Sequence, residues 1–331
     1  MRKSVISVIA AGLLYSGYWA AGTAAVGTGI VGYFDGLRQQ GWDVSYDRIE
    51  NRGFPARFDL TLIKPDLRSA DGTVGWQAPF VQIDAASYLP TAVNIAFPDS
   101  QTLTLPDQQL TISSTGLQAK ASVAAQTALP LDAITAYGGD IQVQSDAGWQ
   151  MSLALMTVVF RAVEPGGPDY AVLATMTDLG PPAALIGLID PEATLPSVIE
   201  LLQLDATIRF DRPLDRFAGD TLGDIVGPAV RILDLRQARI VWGDIEISAS
   251  GALTIDPTGS ATGLITITAQ NWRQMIEMAV NAGLLAPGAA PTWDAMGSAM
   301  AQGSDQLTAP IRFDNGLMSI GPIPLGPAPR F

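Results

Sequence analysis

The chain has 331 residues, 48% hydrophobic and 15% charged, which is ample for a packed core and far from the composition of a disordered chain. Net charge is −13, and without Arg2 and Lys3 the balance is 17 basic against 32 acidic residues, or −15; lysine occurs only at positions 3, 64 and 120, so nucleic acid, which needs clustered cations, is a poor partner. Cysteine and histidine are absent altogether, which removes disulfides, thiolate chemistry, the Ser/His/Asp arrangement and the usual zinc ligands.

The chain opens on Met1, Arg2 and Lys3 and then carries no charge from Ser4 to Phe34. Such a run exceeds the ~20 residues needed to cross a bilayer as a helix, and the basic flank would hold the N-terminus on the cytoplasmic side. The run therefore predicts an N-terminal hydrophobic helix that tethers the protein to an inner membrane, with the rest outside the cytoplasm. A cleaved signal peptide is the alternative, with Ala20 and Gly22, or Gly22 and Ala24, at cleavage spacing. In either case a leader of residues 1–34 precedes a periplasmic domain of residues 35–331.

From Trp42 onward the pattern is mostly period two, bounded by Gly, Pro, Asp and Asn, and predicts many short antiparallel strands. The clearest are Arg57 to Ile63, Thr102 to Leu105, Leu110 to Ser114, Asp140 to Ser145, Gln150 to Val163, Asp205 to Phe210, Arg239 to Thr254 and Gly263 to Ala269. In the first, Phe58, Leu60 and Leu62 share one face while Asp59 and Thr61 take the other, the mark of a sheet with one buried side. Turn signals fall at Ala70 to Gly72, Asp256 to Gly259 and Asp314-Asn315-Gly316, the last being the sharpest hairpin signal. Pro165 to Pro168 reads as a tight loop or a sub-boundary. Helices are few: Asn271 to Leu285, capped by Asn271 and presenting Trp272, Ile276, Ala279 and Val280 on one face, and Thr292 to Gln302, capped by Thr292. The fold class is thus mainly β with a few short helices, an antiparallel meander, elongated sheet or groove following the N-terminal helix.

Candidate chemistry is sparse. Asp205, Asp211, Asp215, Asp220 and Asp224 interleave with Arg209, Arg212 and Arg216. Their spacing departs from a calcium loop, and solvated charges paired with the neighbouring arginines explain them without a metal. No Ser-x-x-Lys, Gly-x-Ser-x-Gly or Walker sequence occurs, so the residues point to no catalytic, cofactor-binding or metal-binding set. Seven tryptophans, scattered along the chain, read as packing residues.

Three stretches carry a resemblance: Arg52-Gly53-Phe54-Pro55-Ala56-Arg57-Phe58; Ser248 to Asp256 around Gly251, with Gly263-Leu264-Ile265; and the ending from Asp314 to Pro329, with Gly316, Gly321, Pro322, Pro324, Gly326 and Pro327. They resemble the family of domain of unknown function 2125, and more distantly the layout is similar to AsmA-like envelope proteins. The resemblance implies a membrane-anchored protein of the bacterial envelope and no catalytic residues, so these motif positions are expected to be structural. The expectation is a tethered periplasmic protein that binds or passes a lipid or other apolar component. A scaffold in an envelope assembly, or a carboxylate-dependent polysaccharide hydrolase, are the alternatives. The proline-spaced tail from Gly321 to Phe331 suits either packing on the domain or docking on a partner.

Overall fold

The structure is a computed structural model that describes residues 16, 27–89, 91–216 and 227–331. The expected membrane-crossing run lies mostly outside the described residues, as do Asp220 and Asp224. Among the described residues no helix is long and apolar enough to cross a membrane. The chain divides into two units, Met1–Ser122 with Ile141–Gly148, and Val123–Asp140 with Trp149–Phe331. The division does not fall at Pro165 to Pro168, which forms a loop inside the second unit.

The first unit begins with a helix over 27–39, here α1. Ile30, Phe34 and Leu37 recur at helical spacing and pack with Val44 and Leu62, so that Phe34 is only 6% exposed. The folded unit therefore starts before the expected 34/35 boundary. Nine strands follow: β1 Asp43–Ser45, β2 Arg48–Arg52, β3 Arg57–Ile63, β4 Asp66–Arg68, β5 Gly75–Gln77, β6 Phe80–Ala86, β7 Ala92–Ala96, β8 Ser100–Leu105 and β9 Gln108–Val123, whose last residue is assigned to the second unit. Every one of their paired ladders is antiparallel. The alternation in β3 buries Phe58, Leu60 and Leu62 and turns Arg57, Asp59 and Thr61 outward, as the sequence pattern requires.

The strands of the second unit are β11 Gln150–Ala162, β12 Asp169–Gly180, β13 Ile199–Phe210, β14 Val230–Trp242, β15 Ile245–Ile255, β16 Ala261–Gln270, β17 Gln306–Asp314, β18 Leu317–Ile320 and β19 Ile323–Pro327. The strand before them, β10 Leu131–Ser145, has its first residues in this unit and its last in the other. Consecutive strands from β11 to β19 pair antiparallel, a meander. The apolar run expected as one strand over Arg239 to Thr254 is a hairpin, turning at Gly243-Asp244 so that Trp242 faces Ile245. Gly243 has φ +57, and this tight two-residue turn is why period-two alternation alone did not reveal the break. Asn315 and Gly316 both take positive φ between the paired Asp314 and Leu317, as an Asn-Gly hairpin demands.

Among the described residues, three α-helices complete the unit: α2 Ala183–Ile189, α3 Trp272–Asn281 and α4 Ala290–Ala301. Asn271 does precede α3, but it sits in a left-handed conformation and its side chain donates to the Asp244 carbonyl instead of capping the helix. Gly283 ends α3 in a Schellman arrangement, with Leu284 N–H reaching Ala279 O and Gly283 N–H reaching Val280 O. Helix α4 starts before the expected cap Thr292, because Pro291, with its fixed φ and no N–H, suits the first turn. The tail packs on the unit: β19 pairs with β18, Ser260 bridges Arg330, and Phe331 N–H donates to Gly259 O.

A candidate apolar binding face

The registers place one set of side chains from β11 to β18 on a common face. Met156, Val158 and Phe160 of β11 lie opposite Met176, Ala174 and Val172 of β12, which lie opposite Leu202, Leu204 and Ala206 of β13. Those in turn face Ile240, Ala238 and Leu235 of β14, then Ile247, Ala249 and Gly251 of β15, Ala269, Ile267 and Ile265 of β16, and Leu307, Ala309 and Ile311 of β17. No polar side chain interrupts these rows. The other face carries Thr157, Thr175, Gln203, Asp205, Thr207, Arg239, Ser248, Thr266 and Thr308. Because a one-residue slip would exchange the faces, the pairing is strongly specified. In β14 the alternation breaks at Arg236-Gln237, between Leu235 and Ala238; register shifts at this point absorb the extra residue and return Ala238 and Ile240 to the apolar side.

Gly251 makes the closest approach on this face. Its φ is +146, and a Cβ there would lie 2.1 Å from Leu264 O of β16. A side chain is excluded by backbone it cannot displace.

One end of the face is closed by aromatics. Tyr170, fully buried, stacks on Phe160 with centroids 4.9 Å apart and meets Phe210 edge-on at 5.8 Å. Its hydroxyl accepts Leu214 N–H at 3.0 Å and donates to Leu131 O at 3.4 Å, and burial pushes its pKa up. Near this end Leu253, Ile255, Ala261, Ile265 and Phe313 form the largest buried cluster. Toward the middle, Met156, Val158, Val172, Ala174, Leu202, Leu204 and Ile240 remain only half-buried.

At the opposite end α3 and α4 lie over the sheet without filling the space. Between them and Ile267, Ala269, Leu307, Ala309 and Ile320 is a cavity of about 330 Å³, lined on the helix side by Trp272, Met275, Ile276, Trp293, Met296 and Met300. Its lining is almost wholly apolar. Leu284, 84% exposed, stands at its rim. Trp272 is 2% exposed, seated against Gly297 of α4 so closely that a Cβ on Gly297 would lie 2.4 Å from the Trp272 ring. Its indole N–H is buried without a partner. Trp272 also borders a second, polar cavity of about 130 Å³, with Asn271, Arg273, Gln274 and Asp305. The Arg273 guanidinium lies 4.3 Å from the Trp272 ring centroid and pairs with Asp294 at 3.1 Å.

The first unit offers polar clefts instead. One of about 480 Å³ is lined by Lys64, Asp66, Gln77 and Gln101, whose polar groups already have partners: Lys64 pairs with Asp47, Gln77 donates to Asp66, and Gln101 accepts from Trp76. Another, of about 290 Å³, gathers Glu50, Arg52, Arg57, Asp59 and Asp84. Arg57 bridges Asp59 at 3.0 Å and Asp84 at 2.6 Å, and Arg48 holds the Glu50 carboxyl below its usual range. Wherever a carboxylate among the described residues has a shifted acidity, the shift is downward: Glu50, Asp71, Asp169, Asp190, Glu246 and Asp256. These groups are held ionised, unlike a general acid, whose pKa must be raised.

The acidic run over Asp205 to Asp224 does not assemble a cation site among the described residues. Asp205 and Arg209 are strand residues, and their partners lie across strands: Asp205 with Arg236, Asp211 with Arg231 at 3.5 Å, and Arg209 with Asp169 at 2.6 Å. For Asp205, Arg209 and Asp211, pairing with sequence-local partners gives way to residues of neighbouring strands, because cross-strand residues sit closer than residues along an extended chain.

None of the motif positions lines the apolar cavity. Gly53, Phe54 and Pro55 form the β2–β3 turn, Gly251 lies in β15, Gly316 turns β17 into β18, Gly321 and Pro322 turn β18 into β19, and Pro324, Gly326 and Pro327 lie in β19. Gly316 O accepts Ala328 N–H, which ties the turn to the tail. The cavity residues of α4, Trp293, Met296 and Met300, were not singled out by sequence reasoning, although their helical spacing in a nearly uncharged segment is a usable signal.

The model of a family described as an uncharacterized protein conserved in bacteria, DUF2125, matches residues 19–329, nearly the whole chain. No curated protein and no solved structure matches, and the AsmA-like layout finds no support.

Proposed function

This chain belongs to the DUF2125 family, and we propose that its second unit binds an acyl chain or similar apolar segment of an envelope lipid on the face of β11–β18, entering at the α3–α4 cavity. The observation that carries the reading is the uninterrupted apolar face, half-buried in its middle and helix-covered at one end around an unfilled cavity. An ordinary core would be packed to crystal-like density; small-molecule sites are instead concave and apolar, typically ~300–1,000 Å³. The flexible methionines Met275, Met296 and Met300 suit a surface that must fit chains of varying shape. The uncharged N-terminal run would tether this unit to the inner membrane, with the domain in the periplasm, next to its cargo.

The test is binding of a lipid whose acyl chain carries a fluorophore to the full chain, against Met300→Glu. Met300 is only partly buried, so a carboxylate there stays hydrated until a bound chain strips its water, which is costly without a partner; the variant should bind at least tenfold more weakly while unfolding at a similar temperature. Equal binding by both would overturn the cavity as the entry point.

A docking role has its own observation. Phe54 (57% exposed), Tyr88 (82%) and Leu89 (51%) crowd one end of the first unit, where Ser87 ties the two turns together through Ala56 O. A scaffold would present such an apolar tip to a partner.

A further inference from the structure

We infer that the apolar tip of the first unit, Phe54 with Tyr88 and Leu89, seats in the interfacial layer of the bilayer, in the leaflet that faces the domain. The inference rests on the tethering reading above, not on the acyl-chain one, and names the partner of the tip.

The direction of α1 places the tip. Phe34 and Leu37 pack with Val44 and Leu62, near the end of β3, while Ile30 packs against Phe58, Leu60 and Ala85. A Cβ on Gly27 would lie 3.9 Å from Leu60 Cδ2. Followed back to its first residue, α1 therefore runs from the end of β3 toward its start. The turn carrying Phe54 immediately precedes that start, and Arg57 of β3 pairs with Ala86 of β6, which sets Tyr88 and Leu89 beside the turn. The chain thus enters the unit at the end that bears the tip. Residues 4–26, directly before α1, are 23 residues without a charge. As a helix such a run would measure ~35 Å, close to the ~30 Å hydrocarbon core of a bilayer. A span of that length ends where α1 begins, on the side of the unit that carries the tip.

The chemistry of the tip matches that position. No charged residue occurs between Arg52 and Arg57, or from Ala85 to Pro98. Phe54 and Leu89 offer apolar area, and Tyr88 offers a ring with a hydroxyl, the kind of side chain that sits at headgroup level. The ions behind the tip balance: Arg48, Arg52 and Arg57 pair with Glu50, Asp59 and Asp84 at 2.6–3.1 Å. In a chain of net charge −13 this local neutrality lets the tip approach anionic lipid, which repels acidic surface. Ser87, fully buried, donates its N–H to Ala56 O at 3.0 Å and its hydroxyl to Ala56 O at 2.9 Å and Pro55 O at 3.2 Å. The two turns are thereby held as one surface, which lowers the ordering cost of docking. A protein could also use an apolar tip; its place beside the entry of the uncharged run selects the bilayer.

The chain has no cysteine, so a single introduced thiol can carry a spin label. The experiment reconstitutes the full chain in nanodiscs of phosphatidylethanolamine and phosphatidylglycerol, labelled at Tyr88→Cys or at Asp47→Cys. Asp47, whose N–H donates to Ile63 O, marks the opposite end of β3, ~20 Å away along the strand. Electron paramagnetic resonance compares collisions with oxygen, which concentrates in lipid, and with a nickel chelate, which stays in water. Position 88 should favour oxygen and position 47 nickel. Adding Phe54→Ser and Leu89→Ser to the chain labelled at 88 should shift it toward water, roughly tenfold in the seated-to-free ratio for each side chain removed. Thermal unfolding should be unchanged, because both side chains are exposed. Nickel-favoured collisions at position 88 in disc-bound chain would overturn the bilayer contact, leave the tether standing and assign the tip to a protein partner. A chain that stays outside the discs would overturn the tether and the contact together.

Discussion

Two helical glycines in the second unit should respond oppositely to the same substitution. Gly187 of α2 has open space where a Cβ would go, whereas a Cβ on Gly297 of α4 would lie 2.4, 2.7 and 2.8 Å from three atoms of the Trp272 ring. In a helix interior Gly→Ala gains about 0.5–1 kcal/mol from reduced backbone freedom. Gly187→Ala should therefore stabilise by up to that amount. Gly297→Ala gains the same but must push aside a ring that is 2% exposed, and overpacking costs about 1–3 kcal/mol. The steric cost wins, and the difference between the two variants, about 1–3 kcal/mol, is the packing energy at the α3–α4 contact. Urea unfolding midpoints, followed by circular dichroism, measure both. A Gly297→Ala protein as stable as Gly187→Ala would refute the tight Trp272–Gly297 seat.

Phe34→Ala should destabilise the first unit by about 3–5 kcal/mol, since the ring is 6% exposed in a buried cluster; thermal unfolding checks it, and a chain begun at residue 35 should suffer similarly. Gly251→Ala combines a disfavoured φ with a clash against β16 backbone, for a loss of roughly 2–6 kcal/mol, read from the urea midpoint. Stability should be nearly flat from about pH 5.5 to 9, because no histidine or cysteine titrates there. Below that it should fall. Asp190, accepting from Leu195 N–H and from both the N–H and hydroxyl of Thr194, and Asp71, held at about 2 by Ser69 and Thr73, have folded pKa values below their ordinary ones. Their contribution is present above the unfolded pKa and is lost as pH drops through the folded one. In Asp190→Asn the decline below pH 4 should be shallower, as urea midpoints against pH would reveal.

Much of the β architecture was legible because period-two alternation is a direct physical record of which face is buried. Arg57 to Ile63 reads correctly to the residue, and Gln150 to Val163 to within one. Legibility failed where local chemistry competes with the pattern. The Gly243-Asp244 turn interrupts an apolar run without a longer polar break, and the bulge at Arg236-Gln237 breaks an alternation that the fold restores. Helix α1 was hidden because its apolar face, Ile30, Phe34 and Leu37, overlaps the uncharged leader and reads as part of it. The cavity was only half visible. Trp272, Ile276 and Ala279 shared a predicted helical face, yet an empty space between helix and sheet is a property of tertiary fit that no single segment encodes. Of the motif positions, Gly53, Gly316 and Gly321 lie at turns with positive φ and Gly251 at a close approach to β16, whereas Pro324, Gly326 and Pro327 lie within β19.

Native mass spectrometry of the full chain, released from membranes without added lipid and compared with Met300→Glu, tests the central claim most directly. The claim predicts a wild-type chain carrying one apolar adduct, extractable into organic solvent and depleted in the variant. A wild-type chain that flies as bare polypeptide, or the same adducts on both proteins, would contradict it.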